Sequence, residues 1–581
     1  MKLRKIISLI LILSLALNII GCSLKCQPIY TGAEFDAFTD KLFVNEVQGD
    51  SLTLNYTIAQ PENYGITDFK PTFGTYSLKD MKNGNKLIKK YIKELEKFDY
   101  NTLSDSQKVT YDIIYKYFND HLCSDKMLLY REDLSPTSGV QAIFPVLLAE
   151  YHFHKKQDVN DYIALINQIG DYFKQVIEFQ KQKAKAGLFM SDTTVDAVIA
   201  QCKDFIGSKE DNYMITMFNN RVETFTALSQ AEKQVYKDQN RDAILNSMIP
   251  AYEMLITELT ALKGSGKNPE GLCHFKKGKD YYEYLVRNTT GSSRSMKEIN
   301  KLLDEKASES LVNIATVVST DEQIQTKLDN YYYPLTDPDE ILEYLQKAIV
   351  TDFPPLNEVN CTIKAVDKSM ENYLSPAFYL TPQLDDFSKN SIYINHNKKY
   401  DLSEIFTTIA HEGYPGHLYQ NCYYNQQKPS LIRHIINFEG YSEGWATYVE
   451  NYSYSIAGLD EQVAKVLANN STATLCIYGK CDLNINYYGW DLDATKEYLK
   501  GYGITDDAVA TTIFNRMIQE PCSYLKYTLG YLELASLRKN AEDRLGDNFS
   551  PINFHKFVLD MGPCQFSVLE KYMDQWMTTQ Q

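Results

Sequence analysis

Apolar residues recur at three- and four-residue spacing, with charged residues between them, over 78–98, 106–121, 159–184, 193–206, 230–262 and 295–319. That period places one apolar stripe along each segment and commits most of the chain to amphipathic helices that pack on one another. Alternation of period two is scarce and comes late, at 361–366 (CTIKAV), 377–380 (AFYL) and 391–395 (SIYIN), where β-branched and aromatic residues predict short strands. Helical patterning resumes at Ser403 and runs to the end. The expected fold is therefore mainly α, a large helical body with one small antiparallel β-sheet. No fixed-period repeat and no low-complexity tract interrupts it. Loop signals at 264–271 (GSGKNPEG) and 333–338 (YPLTDP) divide the body into an N-terminal helical region, 41–335, and a C-terminal region with the sheet, 336–581.

The first 21 residues have a different character. Lys2, Arg4 and Lys5 precede an almost wholly apolar run, Ile6 to Ile20, which closes on Ile19-Ile20-Gly21-Cys22. A basic start, a short apolar core and a small residue before cysteine read as a signal peptide ending in a lipobox-like tetrad, with Cys22 the lipidated residue. The run is shorter than the roughly 20 residues that cross a bilayer. Residues 22–40 are then a tether, and the expected location is outside the cytoplasm, on the bacterial cell membrane by a lipid anchor. The formal charge of -16, from 59 Lys and Arg against 75 Asp and Glu, excludes a nucleic-acid partner for want of a basic footprint. Eleven cysteines in 581 residues are too dilute for a disulfide framework, although Cys476 and Cys481 are close enough in sequence to invite a pair.

The chemistry-bearing residues cluster in the C-terminal region. His411-Glu412-Gly413-Tyr414-Pro415-Gly416-His417 follows a helical run, and Glu439-Gly440-Tyr441-Ser442-Glu443-Gly444-Trp445-Ala446 comes shortly after. Two imidazoles and a carboxylate suit Zn²⁺, and a glutamate beside the first histidine is placed to act on a metal-bound water. On a straight helix, residues six apart differ by about 240° and 9 Å, so His411 and His417 would not meet at one ion. Pro415-Gly416 supplies a reason for the helix to break and turn the second ring back. Glu439, Glu443 and Glu450 fall on one helical face. One of them is expected to be a ligand and the others to support a histidine N–H or face solvent.

These motifs are similar to those of the bacterial family of unknown function DUF885, grouped with the gluzincin-like zinc metallopeptidases. HExxPGH is present as His411 to His417 and EGWAxYxE as Glu443 to Glu450; similar segments include Pro521 to Tyr527, Leu537-Arg538 and Phe554-His555. The resemblance implies a helical gluzincin-like fold with its small sheet beside the metal-site helices. It implies His411, His417 and Glu443 as ligands of Zn²⁺ and Glu412 as general base, with Glu439 open as an alternative third ligand. Tyr527 is a candidate oxyanion donor, with simple packing as its alternative. The strand 391–395, carrying Tyr393 and Asn395, is expected to be the edge strand that aligns an extended peptide. Arg538 and His555 are candidates for holding a substrate carboxylate or supporting the site; a helix-face ion pair and a packed imidazole are their plainer readings. Two functions follow: a surface-tethered zinc metallopeptidase acting on peptide substrates, or a non-catalytic lipoprotein that binds peptides or a surface partner through a degenerate cleft. The retained Glu412 favours the first.

Overall fold

Five serines start five of the expected helices. Ser77, Ser104, Ser191, Ser229 and Ser295 each stand in extended backbone and accept a hydrogen bond from the amide three residues on. Such a cap satisfies an amide that the first helical turn leaves without a partner. The helices that follow are Leu78–Leu95, Asp105–Leu122, Asp192–Gly207, Gln230–Ala243 and Met296–Thr320. The computed structural model describes residues 31–368, 370–371 and 374–580. The signal segment, Cys22 and Cys26 lie outside these.

The expected helix over 230–262 is continuous but widens into a π turn at Ile244–Met248. Pro250, which has no N–H and crowds the carbonyl four residues back, follows directly and gives the physical reason. Several tyrosines sink their rings into the interior and donate their hydroxyls to backbone carbonyls of other segments: Tyr56 to Leu147, Tyr252 to Gln141 and Tyr441 to Val558. Part of the tyrosine content of the chain, 44 residues, is thus spent on tying helices together.

The strands are β1 (Cys361–Ala365), β2 (Ala377–Leu380) and β3 (Asn390–Ile394), in the order β1-β3-β2. β2 pairs antiparallel with β3, Tyr379 opposite Ile392, and β1 pairs parallel with β3, Ile363 opposite Ile392. The sheet is therefore mixed where an antiparallel one is expected, and β3 is its central strand, where an edge strand is expected. Alternation marks a strand but carries no information on which neighbour it pairs with or in which direction.

The first helix among the described residues, α1 (Gly32–Val47), begins inside the expected tether. It buries Phe35, Phe38, Leu42, Phe43 and Val47 in the largest apolar cluster, together with Ile409, Trp445 and Leu534 of the C-terminal region. The rest of that expected tether, residues 22–30, lies outside the described residues. A second cluster draws on segments between residues 52 and 259 and reaches the sheet at Phe378, with Val366 just past β1. Around the small sheet stand the elements that build the site: α2 (Ile405–Glu412), α3 (His417–Gln426), α4 (Glu439–Ser453), α5 (Leu525–Leu545) and α6 (Pro551–Met561). Cys476 and Cys481 are separate, buried free thiols on one helix, so the invited pair is not formed.

Candidate metal centre

The two histidines meet because the helix between them is interrupted. α2 ends at Glu412, Gly413 leaves helical geometry at φ −106° and ψ −104°, and Gly416 at φ −78° and ψ −136° precedes a fresh start at His417. A Cβ on Gly416 would stand 1.8 Å from the carbonyl oxygen of His411, so this close return of the chain requires glycine. The buried indole of Trp445 donates from Nε1 to the Pro415 carbonyl at 2.9 Å and fixes the break from the side of α4. The His411 and His417 rings end with centroids 4.9 Å apart and planes at 84°.

The carboxylate arrives on α4 through an unusually close helix crossing. A Cβ on Gly444 would lie 2.3 Å from the backbone of Gly530 on α5, and one on Gly530 would lie 2.0 Å from the carbonyl oxygen of Gly440. With no side chains between the two backbones, Glu439 and Glu443 reach Lys526 of α5. The Lys526 ammonium lies 3.1 Å from Glu439 Oε2 and 3.6 Å from Glu443 Oε1. The other oxygen of Glu443, Oε2, faces His417 Nε2 at 3.5 Å and His411 Nε2 at 3.8 Å.

His411, His417 and Glu443 are all buried, each offering a ligand atom within 4.8 Å of the others. His411 Nε2, both ring nitrogens of His417 and Glu443 Oε2 have no hydrogen-bond partner. Polar atoms left unpaired in an interior are costly, and a convergent N, N, O set is resolved by a cation. The donor set fits zinc, for which catalytic sites use three protein ligands. His411 Nδ1 donates to Glu450 Oε2 at 2.8 Å, which leaves Nε2 turned inward.

Charge is balanced tightly. Burial alone would lower the pKa of His411, but the facing carboxylate of Glu443, the hydrogen bond to Glu450 and the charge of Glu412 hold it up at about 10. Burial lowers that of His417 against the pull of Glu443. Glu443 is held well below the usual carboxylate range: burial would raise it, and Lys526 with the two histidines outweighs burial. For Nε2 of His411 to coordinate a cation, a proton held there would have to leave.

Glu412 is buried, and its Oε2 accepts the backbone N–H of Tyr379 at 2.8 Å. β2 therefore passes directly beside the centre. Its Tyr379 and Leu380 form one wall of a cavity of about 140 Å³ to which His417, Glu439 and Glu443 also contribute.

The remaining expected residues separate into two groups. Glu439 pairs with Lys526 and stands outside the convergent trio. Tyr527 lies next to that ion pair, with the Lys526 ammonium 4.7 Å from its ring centroid. Burial and the charge of Glu443 keep its phenol protonated. Glu450 supports His411. Tyr393 and Asn395, by contrast, belong to the central strand and its end: Tyr393 stacks on Phe378 at 5.0 Å, and the buried amide of Asn395 donates to the Glu371 and Leu374 carbonyls. Neither lines the cavity; the edge strand that does is β2. Arg538 and His555 sit behind the site and not in it. Arg538 pairs with Glu542 one turn on and donates to the Tyr448 hydroxyl, which is 2.7 Å from His555 Nε2. His555 Nδ1 in turn donates to the Asp352 carbonyl, with its ring stacked 4.1 Å over Phe353. Lys526, Tyr379 and the role of Trp445 carry no signal in the sequence beyond their presence near the motifs, because each acts through a partner distant along the chain.

The family model described as "Bacterial protein of unknown function (DUF885)" matches residues 61–573. The chain belongs to the DUF885 family. None of the curated proteins compared with it matches. Among solved structures, a "putative lipoprotein" from Colwellia psychrerythraea is similar at 18% identity, with a TM-score of 0.82 and coverage of 94% of this chain and 99% of the other. A "putative lipoprotein of unknown function" from Shewanella oneidensis is similar at 16% identity, TM-score 0.63, with the same coverage. Both likenesses establish that this DUF885 chain shares their fold. Among the described residues no helix is long and apolar enough to cross a membrane.

Proposed function

We propose that this DUF885 protein is a zinc-dependent peptidase in which His411, His417 and Glu443 hold the ion and Glu412 is the general base. The observation that carries the reading is the convergence of three buried ligand groups, their inward atoms unpartnered, beside a carboxylate pinned by β2. A zinc ion in the trio would supply Lewis acidity to the scissile carbonyl and to water. Glu412, oriented by the Tyr379 amide, takes a proton from the attacking water and passes it to the leaving nitrogen as the C–N bond breaks. Tyr527, its phenol protonated, is the proposed donor to the oxyanion. β2 is the proposed platform for an extended peptide, since of the two edge strands it is the one that lines the cavity. We further propose that Cys22 carries the lipid that tethers the protein outside the cytoplasm, a reading in keeping with the descriptions of the two similar structures.

Elemental analysis with two variants tests the catalytic reading. The purified protein is expected to carry one equivalent of zinc, His417→Ala to lose it, and Glu412→Gln to keep it while peptide hydrolysis disappears. A wild-type protein without zinc, or a His417→Ala variant holding as much, overturns the assignment. Wild-type protein that holds zinc and binds peptides without cleaving them makes it a binding lipoprotein instead.

A further inference from the structure

Arg433, on a short helical turn between α3 and α4, is 4% exposed and makes no ion pair with any described carboxylate. Of the other buried cations, Lys183 pairs with Glu132, Lys480 with Asp304 and Lys526 with Glu439, while Lys233 donates to the Glu223 carbonyl, far from the cavity. The Arg433 guanidinium is held instead by neutral groups: one terminal nitrogen donates to the Met561 and Pro563 carbonyls at 2.7 and 3.1 Å, and the Tyr424 ring lies 5.7 Å below its central carbon. Its Nε is buried with no partner. Carbonyl dipoles and a ring face fix the orientation of a guanidinium without neutralising it, and an uncompensated interior charge is costly unless something else pairs with it.

Arg433 lines the same cavity as His417 and Glu443, and among the described lining residues it is the sole lysine or arginine. The adjacent His434 also lines the cavity, but burial and the Arg433 charge push its pKa down to about 4, so it is neutral near pH 7. Among its donors only the second terminal nitrogen, Nη1, is neither spent on a carbonyl nor sealed in the interior. A cation without an acidic partner, fixed in orientation beside a candidate reaction centre, is suited to a charge-assisted hydrogen bond to a carboxylate.

We propose that Arg433 recognises a carboxylate of the substrate, supplied by the C-terminus of a peptide or by an acidic side chain next to the bond that reacts. This rests on the reading of the trio as a peptide-hydrolysing centre. It gives that centre a specificity: substrates are peptide ends or acidic peptides whose carboxylate sits in the cavity while a nearby carbonyl reaches His417 and Glu443.

Binding to the Glu412→Gln protein, measured by calorimetry, tests this apart from turnover. Three peptides of one sequence are compared: with a free C-terminus, with a C-terminal amide, and with a C-terminal amide plus a glutamate side chain. The free acid is expected to bind at least tenfold tighter than the neutral amide. Arg433→Met is expected to abolish that difference, and Arg433→Lys to retain part of it. Rescue of the amide by the glutamate side chain assigns the carboxylate to a side chain; no rescue assigns it to the C-terminus, and either supports the proposal. Equal binding of all three peptides, or a preference that survives Arg433→Met, overturns it. The acid-to-amide comparison needs no substitution at Arg433, so equal binding overturns the proposal even if Arg433→Met fails to fold, and Arg433→Lys then tests whether the preference depends on the guanidinium. Wild-type turnover, scored separately, reports on the peptidase reading alone.

Discussion

Lys526 decides which oxygen of Glu443 is available. With Oε1 facing the ammonium at 3.6 Å, Oε2 is left for the histidines. Lys526→Met is therefore expected to free Glu443 to rotate and to lower zinc affinity by about 10–100-fold, the range for loss of a group that orients a metal ligand. Competition against a chromophoric chelator measures it, and Lys526→Arg should recover part of the loss. Unchanged affinity in Lys526→Met would show that Glu443 is held by other contacts. A second buried carboxyl acts on stability alone. Asp482 accepts from Tyr282 and the Cys522 amide through Oδ1, while its Oδ2 has no partner, and burial raises its pKa from 3.8 to about 6. Because the folded value is the higher one, the folded state keeps a proton that the unfolded chain has lost. The stabilisation is complete below about pH 4 and is lost as pH rises through about 6, by about 3 kcal/mol in all. Asp482→Asn should flatten that slope in denaturant titrations at pH 4, 5, 6 and 7.

At the scale of elements, the crossing of α4 and α5 sets the geometry that residues refine. Gly530→Ala inserts a methyl group where the Gly440 carbonyl already lies at 2.0 Å from the Cβ position. The helices must separate, at a cost of about 1–3 kcal/mol for overpacking, and the Glu439–Lys526 pair should open with them. Thermal unfolding and zinc affinity should fall together, whereas alanine at the open Gly207 should change neither. The same elements show what a sequence discloses. Helix starts at Ser77, Ser104 and Ser295 are legible because cap and stripe are local, and the Pro415-Gly416 break is legible because six-residue spacing cannot close on one ion without it. Strand direction in the sheet, the use of Lys526 and the unpaired charge of Arg433 are not, because each depends on a partner dozens to hundreds of residues away. Arg538 illustrates the limit of a chemical guess. An arginine near the motifs invites a substrate role, yet its nearest acid is Glu542 one turn on, and its hydroxyl partner Tyr448 faces away from the cavity toward His555.

For the whole molecule, the division at residue 335 is a division of sequence pattern and not of the core. α1 contributes Phe35, Phe38, Leu42, Phe43 and Val47 to the cluster that also holds Ile409 of α2 and Trp445 of α4. α1 enters that cluster against the turn Ile432–Ile435, which leads into α4 from nearly 400 residues further along the chain, and it cannot come away without uncovering that turn. Phe43 is fully buried, and Phe43→Ala should cost about 3–5 kcal/mol by leaving a cavity. Against a typical total of about 5–15 kcal/mol, that is a large fraction. If the core is one cooperative unit, calorimetry of the variant should show a single transition at lower temperature, and zinc release on heating should move with it. Two transitions in the wild-type protein, with only the one not linked to zinc responding to Phe43→Ala, would instead establish that the C-terminal region folds by itself and that α1 merely covers it.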